Sequence, residues 1–272
     1  MTKGLPNKRK EKKKSEGFQV GNKTGIAWTD HTWNPWQGCH KVSPGCENCY
    51  MFRDKRRYGQ DPENVHRSSV AIFNAPLKWS KNADAALLPH GERVFTCSWS
   101  DFFVKEADGK WRDDAWQIIR QTPNLIYQIL TKRPQRIEKC LPADSDPDSD
   151  WGKQGYQNVW LGVTCENQTD ADRRIPLLIQ IPAAKRFLSC EPLLGPGPLD
   201  LTRYLSTGLI HQVIVGGESG PNFRDMNPEW ALSLRDQCQA AGVAFFFKQW
   251  SGLKPTTSGH LLDGVEYKEF PQ

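Results

Sequence analysis

The sequence has 272 residues, of which 38% are hydrophobic, and a formal net charge of +5. A chain of this size can bury a sizeable core, and because no linker interrupts it we expect one large domain rather than two small ones. It contains no apolar run long enough to cross a membrane, and no apolar stretch follows the charged N-terminus, so neither a membrane span nor a secretory signal is supported. We therefore expect a cytoplasmic protein.

The positive charge is concentrated at the N-terminus. Residues 1–14 contain seven of the 36 Lys and Arg residues and one of the 31 Asp and Glu residues, which leaves 29 basic against 30 acidic residues in the rest of the chain. We predict that residues 1–22 form a disordered basic tail and that residues 23–272 form a single domain. Such a tail either binds nucleic-acid phosphates or is only a solvated extension.

From about Gly25 onward, short apolar runs alternate with longer amphipathic stretches, which indicates strands and helices in turn. The predicted strands are Gly25–Thr29, Arg93–Trp99, Leu125–Thr131, Asn158–Thr164, Lys185–Ser189, Gln212–Gly216 and Val243–Lys248. The predicted helices include Asp113–Gln121, Ala171–Gln180 and Pro228–Ala241. Connections of this length join parallel strands, and continuous apolar runs are typical of strands covered on both faces. The pattern predicts an α/β fold.

Six of the predicted strands run directly into polar or charged residues. In a parallel barrel these strand ends meet at one rim, where barrel enzymes hold their ligands, whereas an open doubly wound sheet uses mainly its switch point. Any one of these residues can equally cap the following helix. Six such strand ends together favour a barrel with ligand-binding residues among Ser98, Asp101, Lys132, Arg133, Glu166, Asn167, Glu191, Glu218, Lys248 and Gln249.

Three of the eight cysteines, Cys39, Cys46 and Cys49, lie within eleven consecutive positions. In a reducing compartment such clusters are more often metal ligands than disulfides. Three thiolates leave one position open in a tetrahedral zinc site or in a [4Fe–4S] cluster. A zinc site would take its fourth ligand from His40, His31 or His66, whereas a cluster would leave one iron free for S-adenosylmethionine. The position of the loop after the first predicted strand of a barrel favours the cluster.

Several segments, in this order, resemble a phage- and prophage-associated family of unknown function within the radical S-adenosylmethionine superfamily: IAWTDHTWNPWQGCHKVSPGCENCY, LTKRP, WLGVTCENQTDADRRIPLL, FLSCEPLLGP, VIVGGESGP and FFFKQW. The resemblance implies a partial (β/α) barrel of the radical S-adenosylmethionine type, encoded by a phage or prophage in a bacterial host. It also implies a [4Fe–4S] cluster on Cys39, Cys46 and Cys49, with S-adenosylmethionine against the rim. The commonest superfamily pattern is C-x3-C-x2-C, whereas here six residues separate the first two cysteines.

The strand ends suggest roles for individual residues. We expect Asp101 and Ser98 to bind the methionine end of S-adenosylmethionine, because their strand neighbours the cysteine loop in a sequential barrel. Glu166 and Asn167 are expected at the ribose, since carboxylates and amides suit hydroxyl groups. The residues expected to face adenine or substrate are Glu191, Glu218, Lys132, Arg133, Lys248 and Gln249.

The substrate is not encoded in any motif, but basic clusters at Arg53–Arg57 and Lys132–Arg133 are compatible with a nucleic acid. The leading hypothesis is a radical S-adenosylmethionine enzyme that modifies or repairs DNA, RNA or a nucleotide and takes electrons from a donor such as flavodoxin or ferredoxin. One alternative is a non-catalytic, zinc-stabilised nucleic-acid-binding protein. Another is a radical enzyme that acts on a protein.

Overall fold

The computed structural model describes residues 24–82, 91–142, 151–254 and 257–272, so the expected tail at residues 1–22 lies outside the described residues. The strands within these ranges are β1 (His31–Trp33), β2 (Trp36–Gln37), β3 (His66–Arg67), β4 (Glu92–Thr96), β5 (Leu125–Thr131), β6 (Val159–Thr164), β7 (Lys185–Cys190), β8 (Gln212–Gly216), β9 (Ala244–Gln249), β10 (Leu261–Leu262) and β11 (Val265–Glu266). The α-helices are α1 (Tyr50–Arg57), α2 (Val70–Phe73), α3 (Ala75–Asn82), α4 (Gly109–Gln121), α5 (Gln168–Gln180), α6 (Thr202–Leu205) and α7 (Pro228–Ala241). Short 3-10 helices occupy Pro44–Cys46, Pro134–Arg136 and Glu138–Cys140.

One sheet of seven strands forms the centre of the protein, in the order β1-β4-β5-β6-β7-β8-β9. Every neighbouring pair in this sheet is parallel. Consecutive parallel strands with helical crossovers wind in one direction, and they form a partial (β/α) barrel. The predicted fold class is therefore confirmed. Two antiparallel hairpins, β2–β3 and β10–β11, lie outside the sheet.

The first strand differs from the prediction. The sequence predicts a strand at Gly25–Thr29, but this prediction is wrong, and the strand is His31–Trp33. Residues 26–29 instead form a turn, in which Thr29 N donates to Ile26 O at 3.3 Å. This turn allows Trp28 to pack inside the barrel, against the ring of Phe95 with centroids 4.6 Å apart. The cysteine loop still follows the first strand.

The three predicted helices are present, and two begin earlier than expected. Side chains of Asp108 and Asn167 accept hydrogen bonds from backbone N–H groups in the first turns of α4 and α5, so these helices start at Gly109 and Gln168. Helix α7 has the predicted bounds, Pro228–Ala241. None of the helices in the described ranges is both long and apolar enough to cross a membrane.

Two hydrophobic cores lie on opposite faces of the sheet. The larger core includes buried residues of α4, α5 and α7, so it lies on the helix-covered face. The smaller takes alternate residues from the strands, which places it on the concave face. Within this face, Gly162 leaves room for an aromatic ring, since a Cβ there would lie 2.4 Å from Phe187 Cζ. The concave core consists of Trp28, Phe95, Trp160, Phe187, Ile214 and Phe246.

Candidate active site

A cavity lies at the carboxyl ends of the sheet strands, and the cysteine loop forms one of its walls. All three clustered cysteines line it: Cys39, Cys46 and Cys49. Residues predicted from the strand ends that also line it are Ser98, Asp101, Lys132, Arg133, Glu191, Glu218, Lys248 and Gln249. The structure therefore brings the two groups of predicted site residues together. Parallel strands explain this, because their carboxyl ends share one edge of the sheet.

The cysteine loop follows a path that depends on glycine. Gly38 has φ 94° and a Cβ there would lie 2.3 Å from Asn64 O, so no other residue type fits without strain. The 3-10 helix Pro44–Cys46 buries Cys46, and Cys49 immediately precedes α1. All eight cysteines are free thiols. The clustered thiols are thus available as ligands.

The carboxylate of Asp101 is bonded on both oxygens. Oδ1 accepts from Thr131 Oγ1 at 2.8 Å and from Phe103 N at 2.9 Å. Oδ2 accepts from Lys132 N and from Arg133 Nη1, both at 3.0 Å. Asp101 lies at the predicted rim, and its hydrogen bonds hold the loop that follows β5.

Glu166 lies behind the cysteine loop, where it is completely buried. Its Oε1 accepts from Ser43 Oγ at 2.7 Å and pairs with the ammonium of Lys132, while Oε2 accepts from Gly45 N at 3.0 Å. Burial by itself would raise the pKa of Glu166, but Lys132 and these hydrogen bonds hold it below its usual value. A charged carboxylate from the end of β6 therefore fastens the loop.

Glu218 holds the other side of the loop. Its Oε2 accepts from Asn48 Nδ2 at 2.9 Å, and Oε1 accepts from Arg224 Nη2 at 2.5 Å. The same arginine donates to Pro44 O at 3.0 Å. Glu218, in the segment Gly216–Ser219, thus lines the cavity and also holds the cysteine loop, directly through Asn48 and indirectly through Arg224.

Asn167 lies at the N-terminus of α5 and not in the cavity wall. Its Oδ1 accepts from Asp170 N at 2.9 Å, which is the arrangement of a helix N-cap. Its Nδ2 donates to the carboxylate of the same aspartate at 3.1 Å. The structure does not bring Asn167 together with the other predicted site residues.

Besides the cysteines, the cavity wall offers both charge and hydrogen-bonding groups. Lys248 Nζ lies 2.9 Å from Glu191 Oε1, and both side chains line the cavity. Tyr50 Oη donates to Ser98 O at 2.7 Å, and Asn34 Nδ2 donates to Ser98 Oγ at 3.0 Å. The Glu191–Lys248 pair can bind a ligand that carries both donors and acceptors.

The three thiols differ in how readily they lose a proton. Burial raises the pKa of Cys39 to about 12, with Asp101 adding to the rise and Arg133 opposing it. Burial also acts on Cys46, but Lys132 and hydrogen bonds from the loop outweigh it and lower its pKa. Cys49 has a raised pKa because it is buried. Cys46 is therefore the thiol that most easily becomes a thiolate.

The three clustered cysteines share one cavity, and this arrangement can be compared with what a cluster requires. Among the described residues, no group of three His, Cys, Asp or Glu side chains is arranged to hold a metal ion. In a [4Fe–4S] cluster each cysteine binds a different iron, so the thiols must surround a volume rather than meet at one point. The three thiols line one cavity, and Lys132 and Arg133 beside it offset their negative charge. These residues fit a three-cysteine cluster.

Of the three histidines considered as zinc ligands, His40 lines the cavity with the cysteines, whereas His31 and His66 do not. His31 Nε2 lies 2.9 Å from Glu92 Oε2, and its ring stacks on Trp79. His66 is exposed in β3. His40 lines the cavity, but its Nε2 lies 3.7 Å from a carboxylate oxygen of Glu106. The zinc hypothesis gains no fourth ligand from His31 or His66.

Some residues of the site were not predicted. Ser43, Asn48, Tyr50 and Arg224 all contact the site, but their sequence neighbourhoods contain no pattern that separates them from ordinary loop residues. Asn48 lies between two cysteines and Arg224 lies six residues after Glu218, and this proximity is the one sequence signal for their roles.

Residues 23–271 match the family model described as "Protein of unknown function (DUF5131)". The chain belongs to this family. No curated protein matches the sequence of this chain. The family model carries no information on a phage or prophage origin, which stays a prediction.

The fold of this DUF5131 protein is similar to solved structures of spore photoproduct lyase. A cysteine-to-serine mutant of that protein aligns with a TM-score of 0.54 at 12% identity, over 84% of this chain and 76% of that chain. A cysteine-to-alanine mutant with dinucleoside spore photoproduct aligns with a TM-score of 0.50 at 12% identity, over 82% and 75%. A third mutant, with bound AdoMet and dinucleoside spore photoproduct, has a TM-score of 0.48 at 12% identity, and 63% of its chain is covered. This similarity concerns the fold, and it agrees with the partial barrel of parallel strands seen in this protein.

Proposed function

We propose that the protein is a radical S-adenosylmethionine enzyme that holds a [4Fe–4S] cluster on Cys39, Cys46 and Cys49. The observation that carries this proposal is the position of three free thiols on one wall of a cavity at the carboxyl ends of a parallel partial barrel. When bound, the cluster and S-adenosylmethionine together supply a 5′-deoxyadenosyl radical. The cavity is where a parallel barrel holds its ligands, which supports the same assignment.

The residues of the cavity wall receive distinct roles in this proposal. Glu191 and Lys248 face the space beside the cysteines and offer a carboxylate and an ammonium to S-adenosylmethionine or substrate. Ser98 and Asp101 belong to the methionine end, with Asp101 acting mainly by holding Arg133 and the β5 loop. Glu166 would reach a ribose only if the cysteine loop moved, because the loop covers its oxygens.

The proposed substrate is a nucleic acid or a nucleotide. Helix α1 follows the last clustered cysteine and carries Arg53, Arg56 and Arg57 on its exposed side, and Tyr58 at its end is 71% exposed. Arg53 lies against the loop of Gly220, next to cavity residues. Cations that bind phosphates and an aromatic ring that stacks on a base are the usual means of holding a single strand. One of the similar structures holds dinucleoside spore photoproduct, which supports the same class of substrate.

The proposal is tested with protein purified and reconstituted without oxygen. We expect about four irons per chain, a brown colour, and slow formation of 5′-deoxyadenosine and methionine when dithionite and S-adenosylmethionine are added. The matched control is Cys46→Ala, treated in the same way. A colourless protein with one zinc per chain and no 5′-deoxyadenosine above the control would refute the proposal and favour the zinc-stabilised binding protein.

The substrate class is tested in the same reaction. Single-stranded DNA, RNA, nucleotides and a peptide mixture are added in parallel, and the rate of 5′-deoxyadenosine formation is compared with the rate without substrate. A nucleic acid or nucleotide should raise the rate and change its own mass. A rise with the peptide mixture alone would favour the radical enzyme that acts on a protein.

A further inference from the structure

A buried arginine lies directly beside one of the clustered cysteines. Arg133 Nη1 donates to Cys39 Sγ at 3.6 Å, and Nη2 donates to His40 O at 2.7 Å. The same Nη1 donates to Asp101 Oδ2 at 3.0 Å. Side chains of Arg133 and Asp101 are only 8% and 6% exposed. The two thus form a nearly dry ion pair whose cation also faces a sulfur atom.

The arginine has little freedom to turn away from the sulfur. Asp101 accepts three further hydrogen bonds, from Thr131 Oγ1, Phe103 N and Lys132 N, so the carboxylate itself is held on both oxygens. The guanidinium is a rigid planar fork, and its second nitrogen is fastened to His40 O in the cysteine loop. The position of the positive charge relative to Cys39 is therefore set by the fold.

A neutral thiol explains this arrangement poorly. Sulfur in a thiol is a weak acceptor, so a guanidinium N–H directed at it gains little. A thiolate is a much better acceptor, because the hydrogen bond then joins opposite charges in a poorly solvated place. The geometry around Cys39 is suited to a sulfur that carries negative charge, as a cysteine bound to iron does.

We propose that Arg133 raises the reduction potential of a cluster bound to Cys39, and that Asp101 limits this effect. The inference rests on the proposed function. Reduction transfers one electron from a donor of the flavodoxin or ferredoxin class, so the site becomes more negative by one unit. A cation that donates to a cluster ligand stabilises that added charge, whereas a nearby carboxylate opposes it. Arg133 and Asp101 therefore shift the potential in opposite directions.

The test measures the midpoint potential of the reconstituted, full-length protein without S-adenosylmethionine, by an anaerobic dye-mediated titration followed by absorbance and electron paramagnetic resonance. We expect Arg133→Gln to make the potential more negative and Asp101→Asn to make it less negative, each at unchanged iron content. Arg133→Lys keeps the charge but not the planar fork, and its potential should lie between those of Arg133→Gln and the wild type.

The control is Arg186→Gln. Arg186 is a similarly buried arginine, but it lies near the amino end of β7, whereas the cavity lies at the carboxyl ends of the strands. Its Nη2 donates to Ile181 O at 2.6 Å. Its replacement should leave the potential unchanged. Opposite shifts in Arg133→Gln and Asp101→Asn support the inference, because loss of packing alone would not invert the sign.

The inference is overturned if both variants keep their iron and have the potential of Arg186→Gln, or if both shift in the same direction. If Arg133→Gln does not retain iron, the midpoint potential of Asp101→Asn is the deciding measurement. An unchanged or more negative potential in that variant overturns the inference. Failure of the wild-type protein to bind iron is a separate result, because it refutes the proposed function itself.

Discussion

Glu166 and Gly45 are 121 positions apart in the chain, yet Glu166 Oε2 accepts a hydrogen bond from Gly45 N at 3.0 Å. A Cβ on Gly45 would lie 2.4 Å from Glu166 Cδ, so a larger residue there would force the buried Glu166 side chain to move. The carboxylate comes from the end of β6, and the glycine lies in the turn that carries Cys46. The barrel and the cysteine loop are thus fastened together by a close contact that an added Cβ would displace.

Replacing Gly45 with alanine should therefore loosen the cysteine loop. We expect Gly45→Ala to destabilise the protein by about 1–3 kcal/mol, as overpacking of a tight contact does, and to lose iron during gel filtration. Urea unfolding and iron analysis measure the two effects. Gly109→Ala is the control, because nothing lies within 4 Å of a Cβ at that position. Equal iron retention in both variants would show that the contact does not support the loop.

The three clustered cysteines should behave as one unit. Alanine at Cys39, Cys46 or Cys49 is expected to abolish cluster retention, because each thiolate lost leaves an iron without its ligand. Iron and sulfide analysis after reconstitution measures this. Cys140→Ala and Cys238→Ala serve as controls, since both residues are buried in the larger core, away from the cavity. The same iron content in all five variants would contradict the ligand assignment.

Asn167 and Glu191 should have separable effects. We expect Asn167→Ala to cost about 1 kcal/mol of unfolding free energy through loss of the α5 N-cap, without changing the affinity for S-adenosylmethionine. Glu191→Gln, in the cavity wall, should weaken that affinity roughly tenfold, which corresponds to about 1.4 kcal/mol. Thermal unfolding and calorimetric binding to the reconstituted protein distinguish the two. Weaker binding in Asn167→Ala would instead support the sequence-based expectation that Asn167 contacts the ribose.

The N-terminal residues should contribute affinity for nucleic acid and not the chemistry. A protein that starts at Gly21 is expected to retain iron and to cleave S-adenosylmethionine at the full-length rate. It should bind single-stranded DNA or RNA more weakly and with a shallower dependence on salt, because seven basic residues are lost. Fluorescence anisotropy at several salt concentrations measures the slope. Identical salt slopes for the two proteins would show that the N-terminal residues have a role other than nucleic-acid binding.

Much of the architecture is predictable from local sequence patterns. Helix α7 has the predicted bounds because Asn227 and Pro228 mark its start and Gly242, with φ 65°, follows its end. Six of the seven sheet strands were predicted from their apolar runs. Glu191, Glu218 and Lys248 were placed at one rim because parallel strands bring their carboxyl ends to the same edge of the sheet.

The first strand shows where local patterns fail. Gly25–Thr29 has the composition of a strand, but Trp28 lies in the concave core and β1 begins at His31. Within this segment Trp28 and Thr29 are buried whereas Gly25 and Ala27 are exposed, and burial of a side chain inside a barrel does not require pairing in the sheet. Only the packing of the other strands around Trp28 decides between the two.

The sequence by itself determined the α/β pattern, the three-cysteine loop and the polar strand ends, since each depends on residues close together in the chain. The tertiary structure alone decided which partner each polar side chain takes. Asn167 became a helix cap, Glu166 fastened the cysteine loop, and Arg133 was directed at Cys39, 94 positions away. The reason is physical: a buried charge is stable only beside a partner, and the fold determines which partners lie within hydrogen-bonding distance.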